Sequence, residues 1–160
     1  MHPRVERALA QSQHAYKVHR HDSFPAPIRS PVDFAAQLGY ELGRITKTLL
    51  IRSNTGDVHA MVVSSMGRKI EFASVARTLG VKRVQVASPA ELDSVVGYPE
   101  KGVSPLGIEN LKILLDDDLF RFETILIGAG EPGVEIELRP ADLAALTNGL
   151  RVAVAADGIS

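Results

Sequence analysis

The sequence predicts an α+β (mixed α/β) fold in a single domain spanning residues 1–160, with a mostly antiparallel or mixed sheet flanked by helices. Three observations predict it. Segments with strand-like alternation and segments with helical spacing follow one another irregularly, not as repeated strand–helix–strand units. Two pairs of strand-like runs are joined by turn sequences, Asn54-Thr55-Gly56-Asp57 and Gly130-Glu131-Pro132-Gly133, as hairpins are. Two helices open on a serine, a proline and an acid, in Ser30-Pro31-Val32-Asp33 and Ser88-Pro89-Ala90-Glu91, the second with the spacing of a capping box.

Taken in order, Val5 to Ser12 is a short amphipathic helix, with Val5, Ala8 and Leu9 on one side. Tyr16 to His19 alternates as a strand, and Pro25 and Pro27 keep residues 21–29 irregular. The Ser30 helix ends near Gly39. A strand over Ile45–Arg52 pairs with Val58–Ser64 as a hairpin. Lys69 to Gly80 fits a helix through Phe72, Val75, Ala76 and Leu79, and Val84–Val86 is a short strand. The Ser88 helix stops at Gly97. Strands follow at Lys112–Asp116, Thr124–Gly128 and Val134–Leu138, then a helix from Pro140 to Gly149 and a last strand at Val152–Val154.

Composition excludes several functions. Apolar residues make up 45% and charged residues 23% of the 160, an ordinary soluble balance. The formal net charge of -1 leaves no global excess for nucleic-acid binding, although a local basic patch is still allowed. With no cysteine there is no disulfide, thiolate metal site or cysteine nucleophile. No apolar run reaches the roughly 18 residues that span a bilayer, so no membrane association is expected. The N-terminal segment lacks a signal peptide's apolar stretch, and a cytoplasmic location is the expectation.

The segment Gly97 to Gly107 concentrates three glycines and two prolines. Such a loop brings backbone N–H groups close to a ligand, because glycine adds no Cβ and proline fixes direction. It also serves elsewhere as a plain connector. It is neither a P-loop nor a dinucleotide fingerprint, and Ser104 has no histidine or acid at a nucleophile's spacing. Lys47 alternates onto the face of Ile45, Leu49 and Ile51, where it is either a lysine whose ammonium reaches out to water or a cation aimed into a pocket. Main-chain donors beside one cation suit an ester carbonyl or a phosphate-linked ligand. His19 and His21 share a strand face but lack a third ligand, so a surface cluster is expected there and no metal. Asp116-Asp117-Asp118 reads as a solvated turn or helix start. Arg68-Lys69 and Lys82-Arg83 are solvated charges, or contacts to an RNA backbone.

Three segments in this order resemble the YbaK/prolyl-tRNA-synthetase-associated editing domain family. They are Lys47-Thr48-Leu49-Leu50; Gly97-Tyr98 with Gly102-Val103-Ser104-Pro105-Leu106-Gly107; and Gly133 to Leu138 with Pro140-Ala141-Asp142-Leu143. The resemblance runs from about His14 to Leu143. It implies a mixed fold around a curved sheet and an aminoacyl-tRNA deacylase that releases a wrongly attached small amino acid (Cys, Ala, Ser or Thr), mostly from tRNA(Pro), with no cofactor. Prolyl-tRNA synthetase is an implied transient partner. Carried over by position, Lys47 matches the functional lysine. Gly102, Val103, Ser104 and Pro105 match the loop whose N–H groups face the scissile carbonyl. Gly128 and Gly130 match the glycine-rich turn bordering the substrate pocket, and Thr48, Gly97 and Glu135 complete the expected substrate contacts. Two positions depart from the cysteinyl branch: Arg20 stands before His21-Asp22 where that branch has tyrosine, and Glu135 stands in place of aspartate. The remaining alternatives are a non-catalytic tRNA or nucleotide binder and a small-molecule hydrolase using Ser104.

Overall fold

Ala60–Val63 and Ile113–Leu115 are unbroken apolar runs, and each becomes the middle of a strand buried on both faces. The computed structural model, which describes residues 1–158, has ten strands: β1 Lys17–Arg20, β2 Thr46–Ser53, β3 His59–Ser65, β4 Arg68–Ile70, β5 Val84–Val86, β6 Lys112–Asp116, β7 Ile125–Gly128, β8 Val134–Leu138, β9 Leu150–Val152 and β10 Ala155–Asp157. Five helices accompany them: α1 Pro3–Ala10, α2 Pro31–Leu38, α3 Phe72–Leu79, α4 Pro89–Val95 and α5 Pro140–Thr147. The main sheet runs β5-β2-β3-β6-β9; β2 is antiparallel to β3 and β5, while β6 is parallel to β3 and β9. A second, antiparallel sheet runs β1-β8-β7, and β10 pairs with β4 in a third.

Both expected hairpins form, β2–β3 and β7–β8. The caps act as the sequence implies. Ser30 Oγ accepts the Asp33 N–H at 3.2 Å, and Ser88 and Glu91 close a reciprocal capping box. Gly39 ends α2 in the left-handed region at φ 70°, where a Cβ is costly.

Three elements differ from expectation. Helix α1 starts two residues early, because Pro3 takes the first helical position and His2 Nδ1 accepts the Arg4 N–H. The helix expected from Lys69 begins at Phe72, because Arg68–Ile70 pairs with Asp157–Ala155 instead. For the same reason the single strand expected at Val152–Val154 is two strands, β9 and β10. The charges nearby are not simply solvated either. Asp116 is fully buried, receives Arg68 Nε at 3.0 Å and caps the Val154 N–H at 3.2 Å.

Three apolar clusters hold the layers together. One lies between the main sheet and the β1-β8-β7 sheet, through Leu50, Met61, Leu115, Ile127 and Ile136. A second packs α3 and β4 on the opposite face, through Ile51, Val62, Leu114 and Val75. Burying each such side chain stabilises the fold by about 1.5–3 kcal/mol. The third fixes α2 by Phe34 and Ala35 against Ile45 and Leu126. Ile45 bridges Leu126 in parallel fashion, and Thr46 Oγ1 donates to the Leu126 carbonyl at 2.7 Å. These contacts join β2 to β7, and the two sheets diverge from that seam.

Candidate functional site

A pocket of about 580 Å³ opens beside the seam. Its walls are Ile45 and residues 46–49 of β2, the segment from His21 to Phe34, the 100–103 loop and the Gly128/Pro132–Glu135 end of the β7–β8 hairpin. The volume is that of a small-molecule site. Arg29, Lys47, Lys101, Glu100 and Glu135 are charged residues of its lining, with Phe34, Ile28 and Met66 as apolar wall.

Lys47 reaches this pocket because it lies one residue past Thr46, where β2 is stitched to β7. Its Nζ donates to the Arg68 carbonyl, so the ammonium is held by one bond, not loose in water. Burial alone pulls its pKa below the usual lysine value. Thr48, Val103, Gly128 and Glu135 line the same pocket.

Gly128 brings the loop and the hairpin together. A Cβ there would stand 2.0 Å from the Val103 carbonyl oxygen. Gly102 works the same way from the other side. A Cβ on it would meet the Glu131 and Pro132 backbone at 2.6 and 2.8 Å. Its N–H is spent on the Pro99 carbonyl at 3.0 Å, which leaves Val103, on the pocket wall, as the loop's candidate main-chain donor. The five other expected site residues lie behind the wall. Gly102 is buried under the hairpin turn. Gly97, at φ 83°, follows α4, and Gly130, at φ 81°, packs against His2 and Tyr98. Pro105 is buried. Ser104 has no exposed surface, and its Oγ accepts the Leu106 N–H at 3.1 Å, as a side-chain turn does. That placement disfavours Ser104 as a nucleophile.

His21, expected in a surface cluster, lines the pocket. Its Nε2 lies 2.7 Å from Glu135 Oε2, and the Phe34 ring flanks it at 4.7 Å. The pairing follows from the register of β1 on β8. His19 stands opposite Glu135 and Arg20 opposite Val134, and the His21 N–H continues the ladder to the Gly133 carbonyl at 2.8 Å. His19 turns instead to Glu137, at 2.8 Å. Burial pushes the Glu135 carboxyl up, with His21 opposing. Sequence spacing shows that the two histidines share a face. It does not show which strand they face.

An aminoacyl-tRNA editing domain model matches residues 25–146. A protein of Enterococcus faecalis, provisionally named Cys-tRNA(Pro)/Cys-tRNA(Cys) deacylase EbsC, is 33% identical over 117 residues, which is 72% of this chain and 70% of that one. The multifunctional Ser/Thr-tRNA deacylase ProXp-y of Escherichia coli is 29% identical over 108 residues, 65% of each chain. A crystal structure provisionally described as a trans-editing enzyme for prolyl tRNA synthetase superposes with a TM-score of 0.80 at 25% identity, covering 96% of this chain and 98% of its own.

Proposed function

The chain belongs to the aminoacyl-tRNA editing domain family, and from that membership we propose that it hydrolyses the ester of a mischarged small amino acid (Cys, Ala, Ser or Thr) on tRNA, foremost tRNA(Pro). It is a hydrolase of carboxylic esters, of the aminoacyl-tRNA deacylase class. It acts in trans in the cytoplasm, with prolyl-tRNA synthetase as a transient partner that leaves the mischarged product. The observation that carries this reading is the convergence of Lys47, Val103, Gly128 and Glu135 on one pocket with room for a terminal aminoacyl-adenosine.

In this reading Lys47 holds the terminal phosphate or ribose and fixes the ester. The N–H of Val103 receives the oxyanion, worth roughly 3 kcal/mol where it is pre-aimed, while Ser104 stays buried behind the wall. Thr48, Gly128 and Glu135 shape the wall met by the aminoacyl group. Gly97, Gly102, Pro105 and Gly130 hold the loop from behind. Discrimination is by pocket size, since a proline-sized acyl group is held unproductively.

The test is a deacylation screen against tRNA(Pro) charged with Ala, Cys, Ser, Thr or Pro, with and without chelator. Release of one or more small amino acids, and not of proline, supports the reading. Binding of tRNA with no turnover of any ester leaves a tRNA-binding module instead.

A further inference from the structure

Two histidine–glutamate contacts lie side by side where β1 and its C-terminal end meet β8, and they are not equivalent. Glu137 is almost fully buried and is satisfied several times over, by His19 at 2.8 Å, Tyr40 at 2.9 Å, Thr124 at 2.6 Å and Arg44 at 3.2 Å. That carboxylate is a structural node. Among the described residues, Glu135 has one side-chain partner, His21. Both members of this second pair open onto the pocket that Lys47 and the 100–103 loop border.

Building on the deacylase reading, we infer that His21, oriented by Glu135, is the general base that activates the hydrolytic water, so that cleavage needs no nucleophilic group on the departing amino acid. The chemistry follows from the contact. An ionised carboxylate only accepts, so Nε2 carries the proton toward Glu135 and Nδ1 keeps its lone pair. Nδ1 takes a proton from water as the water oxygen bonds to the ester carbon, and Glu135 stabilises the imidazolium formed. The tetrahedral oxyanion then collapses and breaks the bond to the ribose oxygen. That oxygen takes the proton back from the imidazolium, giving free amino acid and intact tRNA.

Charged groups of both signs share the pocket wall with the imidazole. Glu135 of β8 is in contact with it, and Arg29, Lys47 and Lys101 stand on three other elements of the wall. Glu100 adds a further negative charge in the loop, and the Phe34 ring covers one side of the imidazole. His19 is turned away to Glu137.

The experiment is single-turnover deacylation of Ala-tRNA(Pro) and Cys-tRNA(Pro) across pH by the wild type and by His21→Ala, His21→Gln, Glu135→Gln and His59→Ala. His21→Gln keeps a donor for Glu135 but cannot take up a proton, which separates chemistry from folding. His59 makes a comparable contact to Glu91 at 3.1 Å outside the pocket and serves as the control. Both His21 variants are expected to lose about 10²–10³-fold on the alanyl ester and to lose the limb of the pH–rate profile that reports the base. Glu135→Gln should move that limb to lower pH, and His59→Ala should match the wild type. A His21→Gln enzyme within about threefold of the wild type overturns the inference. So does a slower variant that keeps the wild-type limb, and so does a wild type active on the cysteinyl ester alone; in these cases the deacylase reading stands. A wild type inactive on every ester overturns both.

Discussion

Glu135 and Glu137 stand two residues apart on one face of β8, yet their carboxyls shift in opposite directions. Burial raises both. At Glu137 the donors Thr124, His19 and Tyr40 outweigh burial and the net shift is down, whereas at Glu135 the single contact from His21 does not outweigh it. One position holds the fold, and the other holds a poised group beside a pocket.

This contrast sets a pH-dependent stability. A carboxyl lowered in the fold contributes stability that is present above its unfolded value and lost as pH falls through its folded one, which is the case for Glu137. A raised carboxyl contributes below its unfolded value and loses that contribution as pH rises through the folded one, which is the case for Glu135. Glu137→Gln is therefore expected to cost on the order of 2–3 kcal/mol at pH 7, as for hydrogen bonds to a charged group, and much less in acid. Glu135→Gln is expected to leave stability at pH 7 unchanged or slightly higher. Urea titrations of the three proteins at two pH values check both.

Local signals made most of the fold legible. Ser30-Pro31, Ser88-Pro89 and Asn54-Thr55-Gly56-Asp57 act within a few residues, so their helices and hairpin could be placed from sequence. Lys47, Thr48, Val103, Gly128 and Glu135 were identified through the resemblance, and the fold brings them to one pocket. The rest depends on pairing between distant residues. His21 and Glu135 are 114 residues apart, and only the β1–β8 register brings them together. Lys69 and Ile70 read as the start of a helix because the strand they pair with, β10, lies far along the chain. Gly102 is not among the residues with positive φ; the backbone of Glu131 and Pro132, distant in sequence, is what excludes a side chain there.

Lys47 tests the electrostatic half of the site. Its ammonium is partly desolvated and bonded to the Arg68 carbonyl, so burial already acts against the charged form. Lys47→Met keeps the aliphatic stem and is expected to melt at or above the wild-type temperature. Deacylation is expected to fall ten- to a thousand-fold, roughly 1.4–4 kcal/mol in the barrier. Steady-state rates beside a melting curve check it. An active, folded Lys47→Met would make this lysine part of the wall only.

Arg29 and Lys101 are exposed cations at the pocket mouth and suit the phosphates of a single-stranded tRNA end. Arg29→Ala or Lys101→Ala is expected to raise KM while kcat stays near wild type. Each lost phosphate contact should also reduce the slope of log affinity against log salt by about 0.7. Tritium-release assays at several salt concentrations measure both. A fall in kcat at constant KM would instead place the cation at the reacting ester.

Gly128 and Ser104 separate a main-chain oxyanion site from a side-chain nucleophile. Ser104→Ala removes the acceptor for the Leu106 N–H in a fully buried turn, at a cost of about 1–3 kcal/mol, but takes nothing from the pocket wall. It is expected to lower the melting temperature and to keep a substantial part of wild-type turnover. Gly128→Ala places a methyl group where the Val103 carbonyl oxygen lies, 2.0 Å from the new carbon. The loop has to move away, and the Val103 N–H moves with it. One misplaced donor costs about 10²–10³-fold in rate, so Gly128→Ala is expected to fall at least that far while its helices and sheets still form. Turnover, melting temperature and circular dichroism are compared for the two variants together, so that instability is not read as lost chemistry. A folded but dead Ser104→Ala beside an active Gly128→Ala would reverse the assignment and return the chemistry to the serine hydroxyl.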